Sequence, residues 1–223
     1  MPDWRALRDD LADLVLARTC AGCEVPGTVL CEVCWAALTR DVIEHDLPDG
    51  TSALASTRYL GVGKSTVIAH KEHGWHALTP MLGILLARAV TALTDAPVML
   101  VPIPPHAQSV AKRGTDPLAD IVSAAARSLR SIGQPATRSP LLVRTRDHGS
   151  LKKLGRDARR DHVVESFAVA PLRAAIDQHV VVVDDVITTG ITLAEARHAL
   201  ASRGICVHGA AAVASTPLLG GRR

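Results

Sequence analysis

The sequence predicts an α/β protein, a mostly parallel sheet with helices on both faces, with a small cysteine-rich module at its N-terminal end. Three observations carry this. From about residue 53, strand-like apolar runs alternate with helix-length segments, as in a parallel sheet covered on both sides. One run, HVVVVDD at 179–185, holds four successive valines, which suits a central strand buried on both faces. Ahead of the alternation, four of the five cysteines fall between Cys20 and Cys34.

The elements follow in order. Trp4, Leu7, Leu11, Leu14 and Val15 recur at helical spacing, so roughly 3–17 reads as an amphipathic helix. The cysteine cluster comes next, and CWAAL after its last pair starts a short helix. Residues 41–52, DVIEHDLPDGTS, are polar and broken by Pro48 and Gly50, and read as a linker. This divides the chain into an N-terminal module, 1–45, and a main domain, 53–217. ALASTRYL is a strand, KSTVIAHKEH and TPMLGILLARAVTAL are helices, and VMLVPI is a strand stopped by prolines. TDPLADIVSAAARSL is a helix with Thr115 as N-cap and Pro117 in its first turn. PLLV, HVVVVDD and ICVHGAAAVA are strands, with the helix TLAEARHALASRG between the last two.

Composition sets limits. At 223 residues, 48% hydrophobic and 21% charged, the chain is globular rather than disordered; aromatics at 2% leave the packing to Ala, Val and Leu. A net charge of +3 does not imply nucleic acid by itself. Asp3, Asp9, Asp10 and Asp13 break any signal-peptide pattern, and LTPMLGILLARAV is interrupted by Pro80 and Arg88 and is too short to span a bilayer. The expectation is a cytoplasmic protein with no membrane span, in a reducing compartment.

The stretch VVVVDDVITTGIT, 180–192, carries the chemistry. Ligands in open α/β sheets bind beyond the carboxyl ends of strands, where Asp184 and Asp185 fall. Gly190 lets the backbone approach a ligand, and the amides of about 188–192 would converge as an anion nest at a helix N-terminus. The hydroxyls of Thr188, Thr189 and Thr192 add donors. The turn suits a phosphate; the two carboxylates suit ribose hydroxyls or a bridging Mg²⁺. A sugar phosphate satisfies both halves. The plain alternative is a strand ending on solvated acids, followed by a helix capped by Ser/Thr side chains.

Cys20, Cys23, Cys31 and Cys34 form C-x2-C-x7-C-x2-C, two knuckles that suit a tetrahedral structural Zn²⁺ with no open position; disulfides are the alternative. Cys206 stands alone in an apolar strand and reads as core. GVGKST, 61–66, resembles the end of a phosphate-binding P-loop, but Arg58 stands where the first glycine belongs. Lys112 and Arg113, after the proline-rich turn, are candidates for a pyrophosphate or ordinary surface charge, and Lys71 has the same standing. Arg144, Arg146, Lys152, Lys153, Arg156, Arg159 and Arg160 make a basic segment that reads as a cover over a pyrophosphate, a nucleic-acid surface or a solvated loop.

The 180–192 stretch resembles the 5-phosphoribosyl-1-pyrophosphate (PRPP) loop of type I phosphoribosyltransferases. In that family the acid pair contacts the ribose hydroxyls and the following loop holds the 5-phosphate. Together with the cysteine knuckle, KEHG at 71–74, VPIPPHAQSVAKRG at 101–114 and the segment 141–167, the chain is similar to ComF/GntX-like phosphoribosyltransferases, which are associated in some bacteria with DNA uptake. Thr115, Asp116 and Pro117, Leu151, Ala158 and His162 depart from that family's usual residues, so the resemblance does not name the acceptor. It implies Asp184 and Asp185 as catalytic residues. PRPP would be bound by Asp184, Asp185, Thr188, Thr189, Gly190, Ile191, Thr192, Lys112, Arg113 and Lys71, with Mg²⁺ accompanying PRPP and structural Zn²⁺ on the cysteines. The implied activity is transfer of a phosphoribosyl group to a nitrogen nucleophile with release of pyrophosphate. The alternative is a non-catalytic module that binds PRPP, a nucleotide or nucleic acid. Candidate partners are PRPP, a nitrogen acceptor, nucleic acid or DNA-uptake proteins, and a second copy of the chain as a homo-oligomer.

Overall fold

In the computed structural model, which describes residues 19–106, 116–145, 166–171 and 175–217, the elements run in chain order. They are α1 (Glu32–Leu38), β1 (Ile43–Asp46), β2 (Ser52–Arg58), α2 (Val62–His73), a 3-10 turn (His76–Leu78), α3 (Thr79–Leu93), β3 (Val98–Pro102) and α4 (Pro117–Ser131). They continue with β4 (Ala136–Arg138), β5 (Leu142–Arg144), β6 (Phe167–Val169), β7 (His179–Ile187), α5 (Ile191–Ala201) and β8 (Val207–Ser215). The expected N-terminal helix at 3–17 lies outside the described residues.

The valine run sits mid-sheet. Six strands pair in the order β1-β2-β8-β7-β3-β4, and every pairing is parallel except β1 with β2. Val180, Val181, Val182 and Val183 are buried, as a strand covered on both faces must be. β8 carries the short run Ala210–Ala214, also buried. With so few aromatics, close approach of small side chains fills the space. At the α3–α4 crossing, a Cβ on Gly83 would lie 2.5 Å from the Cβ of Ala124, so only glycine permits that spacing.

Layering follows from handedness. The connections β2 to β3 and β3 to β4 run one way across the sheet, and right-handed crossovers place α3 and α4 together on one face. The connection β7 to β8 runs the other way and places α5 on the opposite face. The direction reverses between β3 and β7, so this boundary is the switch point at which such sheets bind ligands.

Five sequence expectations change. Residues 43–46, read within a linker, form the antiparallel edge strand β1, whose register with β2 runs from Ile43↔Ala55 to Asp46↔Ser52. Asp116 rather than Thr115 caps α4, because its carboxylate accepts the Ala119 amide at 3.2 Å. Cys206 is exposed, since β8 begins one residue later. The 3-10 turn and α3 together make an 18-residue apolar stretch, His76–Leu93, longer than the sequence reading allowed. Leu82, Leu85, Leu86, Ala89 and Val90 are buried, and the Ser56 hydroxyl donates to the Leu85 carbonyl, so this is a core helix tied to β2. PLLV contributes β5, but to a separate two-stranded antiparallel sheet with β6.

Candidate functional site

The site forms where β7 parts from β3. Pairing with β3 stops at Val183↔Pro102, closed by the Ile103 amide donating to the Val183 carbonyl at 2.9 Å. Pairing with β8 continues to Ile187↔Ser215. Asp184 and Asp185 therefore do not end the strand, as the sequence suggested; they stand at the fork, still held on the β8 side. Into this fork opens a cleft of about 380 Å³, lined by Tyr59, Lys71, Glu72, Pro104, His106, Arg144, Asp184, Asp185, Thr188 and Thr192 among others.

The acids are not solvated strand-end charges. Asp185 is 8% exposed, and its Oδ2 lies 2.5 Å from Lys71 Nζ. Asp184 Oδ1 accepts the Asp185 amide at 2.8 Å. Burial, reinforced by the neighbouring Asp185 charge, pushes the Asp184 carboxyl well above its ordinary value; the Asp185 amide and Lys71 offset only part of this. Lys71 comes from the last turn of α2. Behind it, His70 Nε2 is 2.8 Å from Thr79 Oγ1, and burial together with His76 lowers its pKa to about 4, so it is neutral at neutral pH.

The turn after the acids has the form an anion needs. Gly190 is at φ +72, and a Cβ there would lie 2.6 Å from Leu47 Cδ2. Glycine is thus required for both the left-handed backbone and the packing of the β1–β2 turn against it. Gly190 is the N-cap of α5 and, among the described residues, no side chain caps that helix, which departs from the capped alternative raised by the sequence. The first-turn amides, Ile191 and Thr192 among them, have no intrahelical acceptor and sit at the positive end of the helix dipole. Thr188, Thr189 and Ile191 are exposed and Thr192 half-buried. Arg197 on α5 reaches Asp49 in the β1–β2 turn at 3.3 Å, which ties the two together.

The structure therefore brings Asp184, Asp185, Thr188, Thr192 and Lys71 to one cleft, with Gly190 shaping the turn between the threonines. Lys112, Arg113 and most of the basic segment lie outside the described residues. Arg144, the first residue of that segment, lines the cleft; its Nε donates to the Pro104 carbonyl at 2.9 Å and its guanidinium lies 5.0 Å from the Phe167 ring centre. Sequence reasoning did not single out Tyr59, Glu72 or His106 as cleft residues. Tyr59 lies two residues before GVGKST, and its amide donates to the Ser215 carbonyl at 2.7 Å, which sets it beside the end of β8.

The cysteines form a second constellation. The Sγ atoms of Cys20, Cys23, Cys31 and Cys34 all lie within 4.8 Å of one another, and none is in a disulfide. Zn–S bonds of about 2.3 Å make a tetrahedron with S–S edges of about 3.8 Å, and the Cys23–Cys31 pair is at 3.6 Å. The donor set is compatible with a structural Zn²⁺. At Cys20 burial works against charge, but the amides of Cys31, Cys23 and Gly22 outweigh it and bring its pKa down to about 6, which favours a thiolate ligand. Gly22 lets the module close on α2: a Cβ there would lie 2.6 Å from Cys34 Sγ and 2.8 Å from Val62 Cγ1.

Residues 105–218 match the family model described as "Phosphoribosyl transferase domain". The match takes in β7, the turn at 188–192, α5 and β8, and spans just over half of the chain. No curated protein matches the chain.

Proposed function

The chain belongs to the phosphoribosyl transferase domain family, and from that premise we propose that the cleft binds PRPP and transfers its phosphoribosyl group to a nitrogen nucleophile, releasing pyrophosphate. The observation that carries this is the juxtaposition of an acid pair, Asp185 buried and Asp184 half-buried, with a helix turn whose N-cap glycine makes no side-chain cap: Asp184 and Asp185 on one side, 188–192 on the other. The turn would hold the 5-phosphate through the amides of 188–192 and the hydroxyls of Thr188, Thr189 and Thr192. The carboxylates would accept the ribose hydroxyls, each such charge-assisted hydrogen bond contributing about 1.5–3 kcal/mol. They also favour the positive charge that develops on the ring as the bond to pyrophosphate breaks.

Lys71 neutralises Asp185 in the free protein. With PRPP bound it is placed to turn from Asp185 toward the departing pyrophosphate, and Arg144 lines the same cleft. Lys112 and Arg113 are proposed for the pyrophosphate as well. The oxygen donors of Asp184 and Asp185 fit Mg²⁺, which would supply charge neutralisation on the pyrophosphate. Zn²⁺ on Cys20, Cys23, Cys31 and Cys34 is assigned a structural role, since all four ligands are protein thiolates. A link to DNA uptake is proposed from the ComF/GntX-like resemblance of the cysteine knuckle, of the 180–192 loop and of 71–74, 101–114 and 141–167.

The test is to incubate the protein with PRPP, Mg²⁺ and a panel of nitrogen acceptors and to measure pyrophosphate release. Release that depends on one acceptor, above the hydrolysis seen without any, is the expected result. PRPP binding with no acceptor-dependent release would instead make the chain a binding module.

A further inference from the structure

We propose that Thr216, the residue after β8, is the positioning residue that turns the amides of Thr188 and Thr189 toward a sugar 5-phosphate. The inference rests on the reading of the cleft given above and adds to it a residue outside the 180–192 stretch. The Thr216 amide donates to the Ile187 carbonyl at 2.8 Å, and its hydroxyl donates to the Thr188 carbonyl at 2.9 Å. The same Oγ1 lies 3.4 Å from the Ile187 carbonyl.

In an extended strand, successive carbonyls point to opposite sides. Here two successive carbonyls, those of Ile187 and Thr188, both turn to one residue. All described peptide bonds are trans, and in a trans unit the N–H points opposite to the C=O. The Thr188 amide shares its peptide unit with the Ile187 carbonyl, and the Thr189 amide shares its unit with the Thr188 carbonyl. Both N–H groups are therefore directed away from Thr216, on one side of the backbone. Successive amides on one side form an anion-binding nest, and the uncapped first turn of α5 follows immediately. Thr188 and Thr192 line the cleft, so the nest and the helix end flank one space.

Thr216 is itself held. Pro217 follows it, and a residue before proline is kept out of the helical region and in extended backbone. That keeps the amide and the hydroxyl of one residue aimed at two neighbouring acceptors. Valine at 216 would keep the shape and the amide but lose the hydroxyl. The Thr188 carbonyl would then have no donor from that side, and the 188–189 peptide plane would be released to rotate. Serine would keep the hydroxyl.

The experiment measures the affinity of the full chain for ribose 5-phosphate by calorimetry, for the wild type, Thr216→Val and Thr216→Ser, with melting temperatures recorded alongside. The expected result is a loss of about ten-fold in Thr216→Val, with Thr216→Ser within about two-fold of the wild type. Should the valine variant fail to fold, Thr216→Ala replaces it, with the same loss expected. Equal affinity in the wild type and Thr216→Val would overturn this inference alone, as would an equal loss in Thr216→Ser, because shape rather than the hydroxyl would then matter. No binding of ribose 5-phosphate by the wild type would overturn the proposed function and this inference with it.

Discussion

Asp184 keeps its proton to a pH well above 3.8, because burial and the Asp185 carboxylate both disfavour its charge. The unfolded chain releases that proton near 3.8, so between that pH and the higher folded value the native state binds more protons than the unfolded state. Stability is therefore fully present below about 3.8 and falls as pH rises through the window. Asp184→Asn removes the charge and retains an oxygen for the Asp185 amide. Thermal unfolding should show the variant melting above the wild type at neutral pH, with the two curves converging near pH 3.8; a variant that melts lower at neutral pH would contradict the assignment. Gly190 makes the complementary case. A side chain there meets both a φ of +72 and the Leu47 methyl, so Gly190→Ala should lose about 1–3 kcal/mol in chemical denaturation and bind ribose 5-phosphate more weakly.

At the scale of elements, β1 shows why a strand escaped the sequence. Its inward positions are Ile43, half-buried, and His45, 1% exposed. A buried histidine reads as polar, so alternation was invisible and the prolyl turn beyond it suggested a linker. That turn is instead the piece that packs on Gly190 and reaches Arg197. α3, by contrast, was legible to its last residue, because its apolar pattern begins at Thr79-Pro80 and ends where Thr94 turns extended. The cysteine module was legible from spacing alone. Its Cys20, Leu30, Cys34 and Leu38 join the main hydrophobic cluster, so metal loss should reach beyond the module. Elemental analysis should find about one zinc per chain, absent in Cys34→Ser. Chelation should lower the melting temperature, with zinc restoring it. Unchanged melting after verified metal removal would remove the structural role.

For the whole molecule, the acid pair and the turn at 188–192 were legible because they are contiguous, whereas their surroundings come from strand order. Nothing local to residues 58–73 indicates that α2 ends beside β7, yet that places Lys71 on Asp185. Nor does local pattern say that β3 adjoins β7, which puts the ligand crevice at the fork. Tyr59 and Thr216 reach the site for the same reason, through the carboxyl ends of β2 and β8. On the proposed function, this fork grips a ribose 5-phosphate between two acids and an amide-lined turn. Calorimetric titration with PRPP and Mg²⁺ tests it most directly, comparing the wild type with Asp184→Asn/Asp185→Asn. The wild type should bind measurably and the double variant should lose at least about a hundred-fold, as expected when both acid contacts to the ribose go. Equal affinity in the two proteins would contradict it.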